Sequence, residues 1–259
     1  EFHRLERRTP VRLVYPRIEQ RLARLTHAFG PASGPLLAVL GQGPRESCFE
    51  DDFGIGYPLA VEADTFLRSF EQALEARGVP FAWVGGEDRD VALDDAAWLV
   101  CASSGAMPEA LATRLVAATD RGTRVTIGPR RSAFDARFRP LEEAAAIRNR
   151  LEGACEWHES DAPALADAAV ARAVADLDLC SYAADPDPLH VTVHHDGDGE
   201  IRVAFVIKAT DEDLVGRVTI GVDDTWSDPI ETMNTRSERG VLELRLRPHS
   251  VRMLIRRRS

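Results

Sequence analysis

Lysine is almost absent from this sequence: Lys208 is the only one, so the basic residues are arginines, and against 42 acidic residues they leave a net charge of −10. A protein that follows a phosphate backbone carries a basic face or stripe, so this balance argues against a nucleic-acid binder and against acidic partners. Long apolar runs are missing as well. None approaches the roughly 20 residues needed to cross a bilayer, and the N-terminus lacks the charged-then-apolar plan of a signal peptide. Neither a membrane nor a nucleic acid is therefore expected as partner. Cysteine is scarce: Cys48, Cys101, Cys155 and Cys180 lie far apart with no CxxC pair, which suggests neither a disulfide framework nor a zinc site. A reducing cytoplasm is the expected location, and no cofactor is implied. The chain begins at Glu1 rather than methionine, from which a fragment, a processed product or a piece of something longer is expected.

What is present is organised around Ala97–Pro129. An apolar run of strand length (Trp98–Cys101), a Ser/Gly loop, an amphipathic run opening at Pro108 and a second apolar run (Val125–Ile127) make a β-loop-α-β unit and imply a parallel sheet. Pro108 suits a first helical position, and Gly122 suits the left-handed residue beyond the helix end. Leu111, Leu115 and Ala118 share one helix face. Ligands of such sheets gather outside the carboxyl ends of the strands, here Ala102–Met107.

Upstream, Arg8–Phe29 carries Val14, Ile18, Leu22 and Leu25 at helical spacing, predicting an amphipathic helix from about Pro16. Leu36–Leu40 reads as the first sheet strand, buried on both faces. The long loop Gly41–Pro58 sets Glu46, Glu50, Asp51 and Asp52 beside Phe49, Phe53 and Tyr57. Asp64–Arg77 predicts a helix with Leu67, Phe70 and Leu74 on one face, closed by Gly78, and Pro80–Val84 a further strand. With Trp98–Cys101 and Val125–Ile127, that makes four parallel strands. Gly128–Pro140 is arginine-rich punctuation, and Leu141–Leu151 and Pro163–Ala175 look helical.

From Leu177 the apolar period changes to two. Leu189–His195, Ile201–Ile207, Val218–Val222, Leu242–Leu246 and Val251–Ile255 alternate apolar with polar, with turns at Asp196–Gly199 and Asp211–Gly216. Short strands at that spacing mean a small all-β sandwich or barrel. The fold class is thus α/β plus all-β.

Few constellations carry chemistry. Cys101 ends a strand ahead of a helix, where the helix N-terminus lowers a thiol pKa, but its only His-Glu support is His158-Glu159 at the domain edge; the commoner fate of a strand cysteine is a buried structural thiol. Gly41-Gln42-Gly43 follows a strand as a dinucleotide fingerprint would, yet Glu46 stands where the third glycine belongs, among carboxylates that repel a phosphate. Glu50, Asp51 and Asp52 are too close in sequence to face each other across a glycosidic bond. With Phe49, Phe53 and Tyr57 they form either a solvated acidic loop or a surface that meets a substrate or partner, since acids beside aromatics suit sugar hydroxyls and ring faces. His190 and His194 share a strand face with His195 opposite, and two ligands without a third do not make a metal site.

The matching stretches Phe66–Val84, Trp98–Pro129 and Ile201–Thr210 through Leu242–Ile255 resemble the C-terminal half of a family 42 β-galactosidase-type glycoside hydrolase. That resemblance implies an amidotransferase-like (flavodoxin-like) trimerisation domain at 31–176 and a C-terminal β-sandwich at 177–259. Residues 1–30 become the linker helix that leaves the catalytic barrel. The acid/base and nucleophile glutamates of such enzymes lie in that barrel, so no catalytic residue carries over. The implied role is a non-catalytic assembly or accessory region, a homo-oligomer whose partner in the intact protein is a glycosidase barrel, with carbohydrate as a further ligand. Two other readings stand beside it: a free-standing amidotransferase-like enzyme using Cys101, and a carbohydrate-binding protein without catalysis.

Overall fold

The computed structural model describes residues 4–20, 59–88, 90–93, 95–134, 145–185 and 189–257. The chain divides into two compact units, Pro10–Glu71 with Ala82–Val170, and Glu1–Thr9 with Gln72–Phe81 and Ala171–Ser259. The expected linker helix thus gives one short piece, and the expected α/β domain two, to the unit that holds the sandwich.

In chain order the first half forms β1 (Val11–Tyr15), α1 (Leu59–Ala76), β2 (Phe81–Gly85), β3 (Trp98–Ala106), α2 (Glu109–Thr119), β4 (Arg124–Phe134), α3 (Ala145–Ala154), β5 (Glu156–Trp157) and α4 (Pro163–Asp176). A five-stranded sheet runs β2-β1-β3-β4-β5, with β1–β3, β3–β4 and β4–β5 parallel. The alternation of strand and helix produces this, because parallel neighbours need a crossover.

Two sequence expectations change here, and a third lies outside the described residues. Val11–Tyr15, predicted within the linker region, is a strand beside β3, and its Val11, Leu13 and Val14 are fully buried. Helix then begins at Arg17, where the reading from about Pro16 puts it, and is described as far as Gln20. The helical spacing of Val14 and Ile18 hid a stretch rich in β-branched residues that a central strand suits better. The predicted strand Leu36–Leu40 lies outside the described residues, and the described sheet gains β1 and β5. Finally, β3 does not stop at Cys101. Ser103 and Ser104 continue to pair with Pro129 and Arg130, and a register shift before Ala106 absorbs the glycine. Gly128–Phe134, read as punctuation, is accordingly strand.

The sheet packs on its helices through two apolar groups. Val14, Leu99, Cys101, Leu111, Leu115 and Ile127 belong to one buried cluster. On the other side Phe70 meets Phe66 at 4.9 Å and the buried Trp98 at 5.7 Å, both in tilted or edge geometry. The Trp98 indole N–H donates to Thr126 Oγ1 at 2.9 Å, which satisfies the one polar group this ring buries. Pro108 is the N-cap rather than the first helical residue of α2, since its carbonyl accepts the first turn's bond from Ala112. Gly122 takes the positive φ expected of it, at +94°.

The second half forms β6 (Ala184–Asp185), β7 (Leu189–His195), β8 (Ile201–Lys208), β9 (Leu214–Thr219), β10 (Thr225–Asp228), β11 (Met233–Arg236), β12 (Val241–Leu246) and β13 (Val251–Arg256). They make two antiparallel sheets, β11-β10-β13-β8-β7 and β12-β9-β6. The sheets share a core of Leu189, Val206, Val218, Trp226, Leu242 and Leu254. The predicted strand Val218–Val222 is shifted to 214–219, because Gly216, taken as part of a turn, sits in the ladder opposite Leu244. The hairpin β10–β11 and the short β6 were not expected from the sequence.

Candidate functional site

The acidic and aromatic loop residues Phe49, Glu50, Asp51, Asp52, Phe53 and Tyr57 lie outside the described residues. The carboxyl edge of the parallel sheet, where the sequence places any ligand of the α/β domain, is described for the strand ends themselves. Tyr15 closes β1 and Trp83 lies in β2, with ring centroids 6.3 Å apart. Arg68 of α1 stacks over Trp83 at 5.0 Å and forms an ion pair with Glu71 at 2.6 Å. Glu71 also accepts the Trp83 indole N–H at 2.7 Å. Burial, and then the carboxylates of Asp64 and Glu19, push the Tyr15 phenol up to about 12, so it stays a neutral donor at any physiological pH.

Next along the edge, the Arg130 fork grips Glu62 with Nε to Oε2 at 2.5 Å and Nη2 to Oε1 at 2.7 Å. Arg131 donates to Glu159 and lies 5.8 Å over the Trp157 ring. The His158 backbone N–H donates to Ile127 O at 2.9 Å, and its ring meets Phe70 edge-on at 5.9 Å. His158-Glu159 is therefore built into the sheet's β5 edge, its glutamate engaged by an arginine.

Cys101 settles into the apolar interior. Its residue is fully buried, and Sγ donates to the Ala102 carbonyl at 3.6 Å. Burial first, then Glu19, raises the thiol pKa well above its ordinary value. The sequence had set it at a strand end facing a helix N-terminus, which lowers a thiol pKa. Because β3 runs on through Ala106, Cys101 sits mid-strand instead, paired with Val14 on one side and Ile127 on the other. A thiolate nucleophile needs the opposite environment. Cys155 is also raised by burial, to about 12.

The histidines of β7 separate likewise. His190 is exposed, and the ring of His194 rests 5.6 Å from Phe205. His195, on the opposite face and in step with the buried Leu189 and Val193, points inward, where Nε2 lies 3.2 Å from the Tyr182 hydroxyl. Among the described residues no group of three or more His, Cys, Asp or Glu side chains is placed to hold a metal ion. Nor is any described helix long and apolar enough to cross a membrane.

Two buried cations escaped the sequence reading of sites. Lys208 is 1 % exposed, with Nζ donating to Thr210 O at 2.8 Å and to Glu212 O. Arg252 is 4 % exposed and forms an ion pair with Asp228, itself 1 % exposed. The signal was in the alternation: Arg252 shares strand parity with the core residue Leu254, and Lys208 with Ala204 and Val206.

The described geometry thus holds ion pairs, stacked rings and buried thiols, and it assembles no nucleophile with a base and an orienting group. No protein-family model matches the sequence, and no curated protein matches it. Solved structures do. Gan42B, a GH42 β-galactosidase from G. stearothermophilus, superposes with a TM-score of 0.65 at 10% identity over 98% of this chain and 41% of its own. A β-galactosidase from Bacillus circulans sp. alkalophilus gives 0.65 at 8% identity, covering 97% of this chain and 42% of that one. A cold-adapted β-galactosidase from Rahnella sp. R3 gives 0.61 at 10% identity, with 97% and 41% coverage.

The fold is that of part of a GH42 β-galactosidase chain. This chain spans about two fifths of the length of those enzymes. At such low identity the likeness is one of fold alone. It bears out the resemblance drawn from Phe66–Val84, Trp98–Pro129 and the terminal strands.

Proposed function

We propose that this chain is a non-catalytic assembly and accessory region of a β-galactosidase-like glycoside hydrolase, acting beside a catalytic barrel in the same assembly. One observation carries the reading: nearly all of this chain finds a counterpart in GH42 enzymes, while well under half of each such enzyme finds one here. The rest of those enzymes is left to carry the chemistry. Hydrolysis of a glycosidic bond needs two carboxyls about 5 to 9.5 Å apart on either side of it. Beside the described strand ends, Glu62 in the first turn of α1 and Glu159 after β5 are instead held by Arg130 and Arg131.

The α/β unit is the surface through which copies associate, and cyclic homo-oligomers are the common soluble arrangement. The loop bearing Phe49, Glu50, Asp51, Asp52, Phe53 and Tyr57 follows a predicted strand and reaches towards the barrel or its substrate. Cytoplasmic location is part of the reading, supported by the free thiols of Cys101, Cys155 and Cys180. Light scattering of the purified chain over a hundredfold concentration range tests the assembly role. A concentration-dependent oligomer is expected, and a monomer throughout overturns it.

A further inference from the structure

We infer that the cleft between β11 and β12 binds a neutral, polyhydroxylated ligand, with a short uncharged oligosaccharide as the fitting class. β12 ends the three-stranded sheet and β11 ends the five-stranded one. Where these two free strands meet, the sandwich opens into a cleft of about 720 Å³. Small-molecule sites occupy roughly 300 to 1,000 Å³.

The floor is apolar, formed by Leu214, Leu244 and Leu246, with Val215 and Met233 exposed at the rim. Arg252 stands in the wall. Its Nε donates to the Asp228 carboxylate and its Nη1 to Arg245 O at 2.9 Å, while Nη2 is buried without an acceptor among the described residues. Asp228 cannot supply one more easily, because its Oδ1 already accepts from the backbone N–H groups of Ile230 and Glu231 at 2.9 and 3.2 Å. A buried donor left unpaired is destabilising. Nη2 has no accessible surface as the wall stands, so a ligand oxygen in the cleft pairs with it only through a small shift of the Arg252 side chain.

The charge of the lining selects which oxygen. Asp213, Glu231 and Glu243 balance Arg245, Arg247 and Arg252, and Arg252 is further neutralised by Asp228 behind it. A free anion would meet as much repulsion as attraction. A hydroxyl can do both things this lining asks, donating to a carboxylate and accepting from a guanidinium. Leucine side chains below suit the C–H face of a sugar ring. An added peptide strand is the poorer occupant, since Glu243, Arg245 and Arg247 put alternating charge along the free edge of β12, the device by which sheet edges resist strand pairing. Nothing in this site depends on the parent being a glycosidase.

The test titrates the full chain with lactose, maltotriose and galactotriose, with tri-galacturonate as the charged control, followed by calorimetry and amide NMR shifts. At least one neutral sugar should bind saturably, with shifts at Val215, Thr235 and Arg245. R252K, which keeps a cation for Asp228, should weaken that binding about tenfold, as loss of a charged hydrogen bond does. V215W, at an exposed rim position, should block binding without lowering the melting temperature. The proposal is overturned by no saturable binding of the neutral sugars at about 10 mM, where a millimolar site is nearly full. It is equally overturned by tighter binding of tri-galacturonate, by shifts that map elsewhere, or by an extended peptide taking the cleft in preference to every sugar.

Discussion

Three glycines separate two causes of destabilisation that are usually confounded. Gly78, just past α1, has φ +61°, and a Cβ there would stand 2.4 Å from both the carbonyl carbon and oxygen of Tyr182. The chain cannot easily back away, because Gly78 O accepts the Tyr182 N–H at 2.8 Å. A left-handed backbone costs alanine about 1 to 2 kcal/mol, and overlap with fixed neighbours adds about 1 to 3. Gly78→Ala should therefore lose about 2 to 5 kcal/mol. Gly122 has φ +94° with nothing within 4 Å of its Cβ position, so Gly122→Ala should lose the conformational part alone, about 1 to 2 kcal/mol. Gly153 lies within α3 with the same open space and no positive φ. Gly153→Ala should gain up to about 1 kcal/mol from helix propensity. Urea denaturation of the four proteins, followed by circular dichroism, gives the order. A Gly78→Ala protein no less stable than Gly122→Ala would refute the close approach of Gly78 and Tyr182.

Lys208, the sole lysine, is held by two backbone carbonyls, so an amine-reactive ester should label only the N-terminus of the native chain and reach Lys208 in urea; mass mapping of the native product decides it. Cys101 should react with iodoacetamide far more slowly than the exposed Cys180 at pH 8, because its thiol is buried and its pKa is raised; equal rates would contradict its place in the core. Acid should weaken the sandwich in two stages. Burial first, with Arg7 and Arg8 adding to it, holds His194 and His195 below the ordinary imidazole value. The unfolded chain then binds protons that the folded one refuses, and stability falls as pH drops below about 6.5. Hydrogen bonds from Arg202 and Arg256 lower Asp196 and Asp224, and the stability those carboxylates contribute is lost further down, below about pH 4. The urea midpoint should be lower at pH 5 than at pH 7.5, with His195→Gln reducing that difference.

Regular periodicity was legible in the sequence wherever one contact face decided the structure. The helix carrying Leu67, Phe70 and Leu74 and the alternating strand around Leu244 are found as read, because burial on one face leaves a period of 3.6 or 2; β8 is also a strand, although Val203 and Ala204 are both buried in it. What failed were segments whose state is set by a neighbour rather than by their own pattern. Ser103 and Ser104 stay extended because β4 pairs with them, and VRLVY at 11–15 is a strand because β3 lies beside it. The hairpin β10–β11 was missed because β11 has no buried residue and so no apolar stripe to reveal it.

Site residues were harder to read for the same reason. Cys101 looked like a strand end because the apolar run stops there, while pairing carries the strand five residues further. Lys208 and Arg252 were readable as polar residues in core-facing register, but alternation does not say what they touch. Their partners come from the Thr210–Glu212 turn and from Asp228, at distances only the folded chain defines.

The central claim, that the chemistry of the parent enzyme lies outside this chain, is tested most directly by incubating the purified chain with p-nitrophenyl β-galactoside and measuring released nitrophenol. The account predicts a rate indistinguishable from that of buffer. Saturable turnover that vanishes when Glu50 or Asp52 is changed to alanine would contradict it.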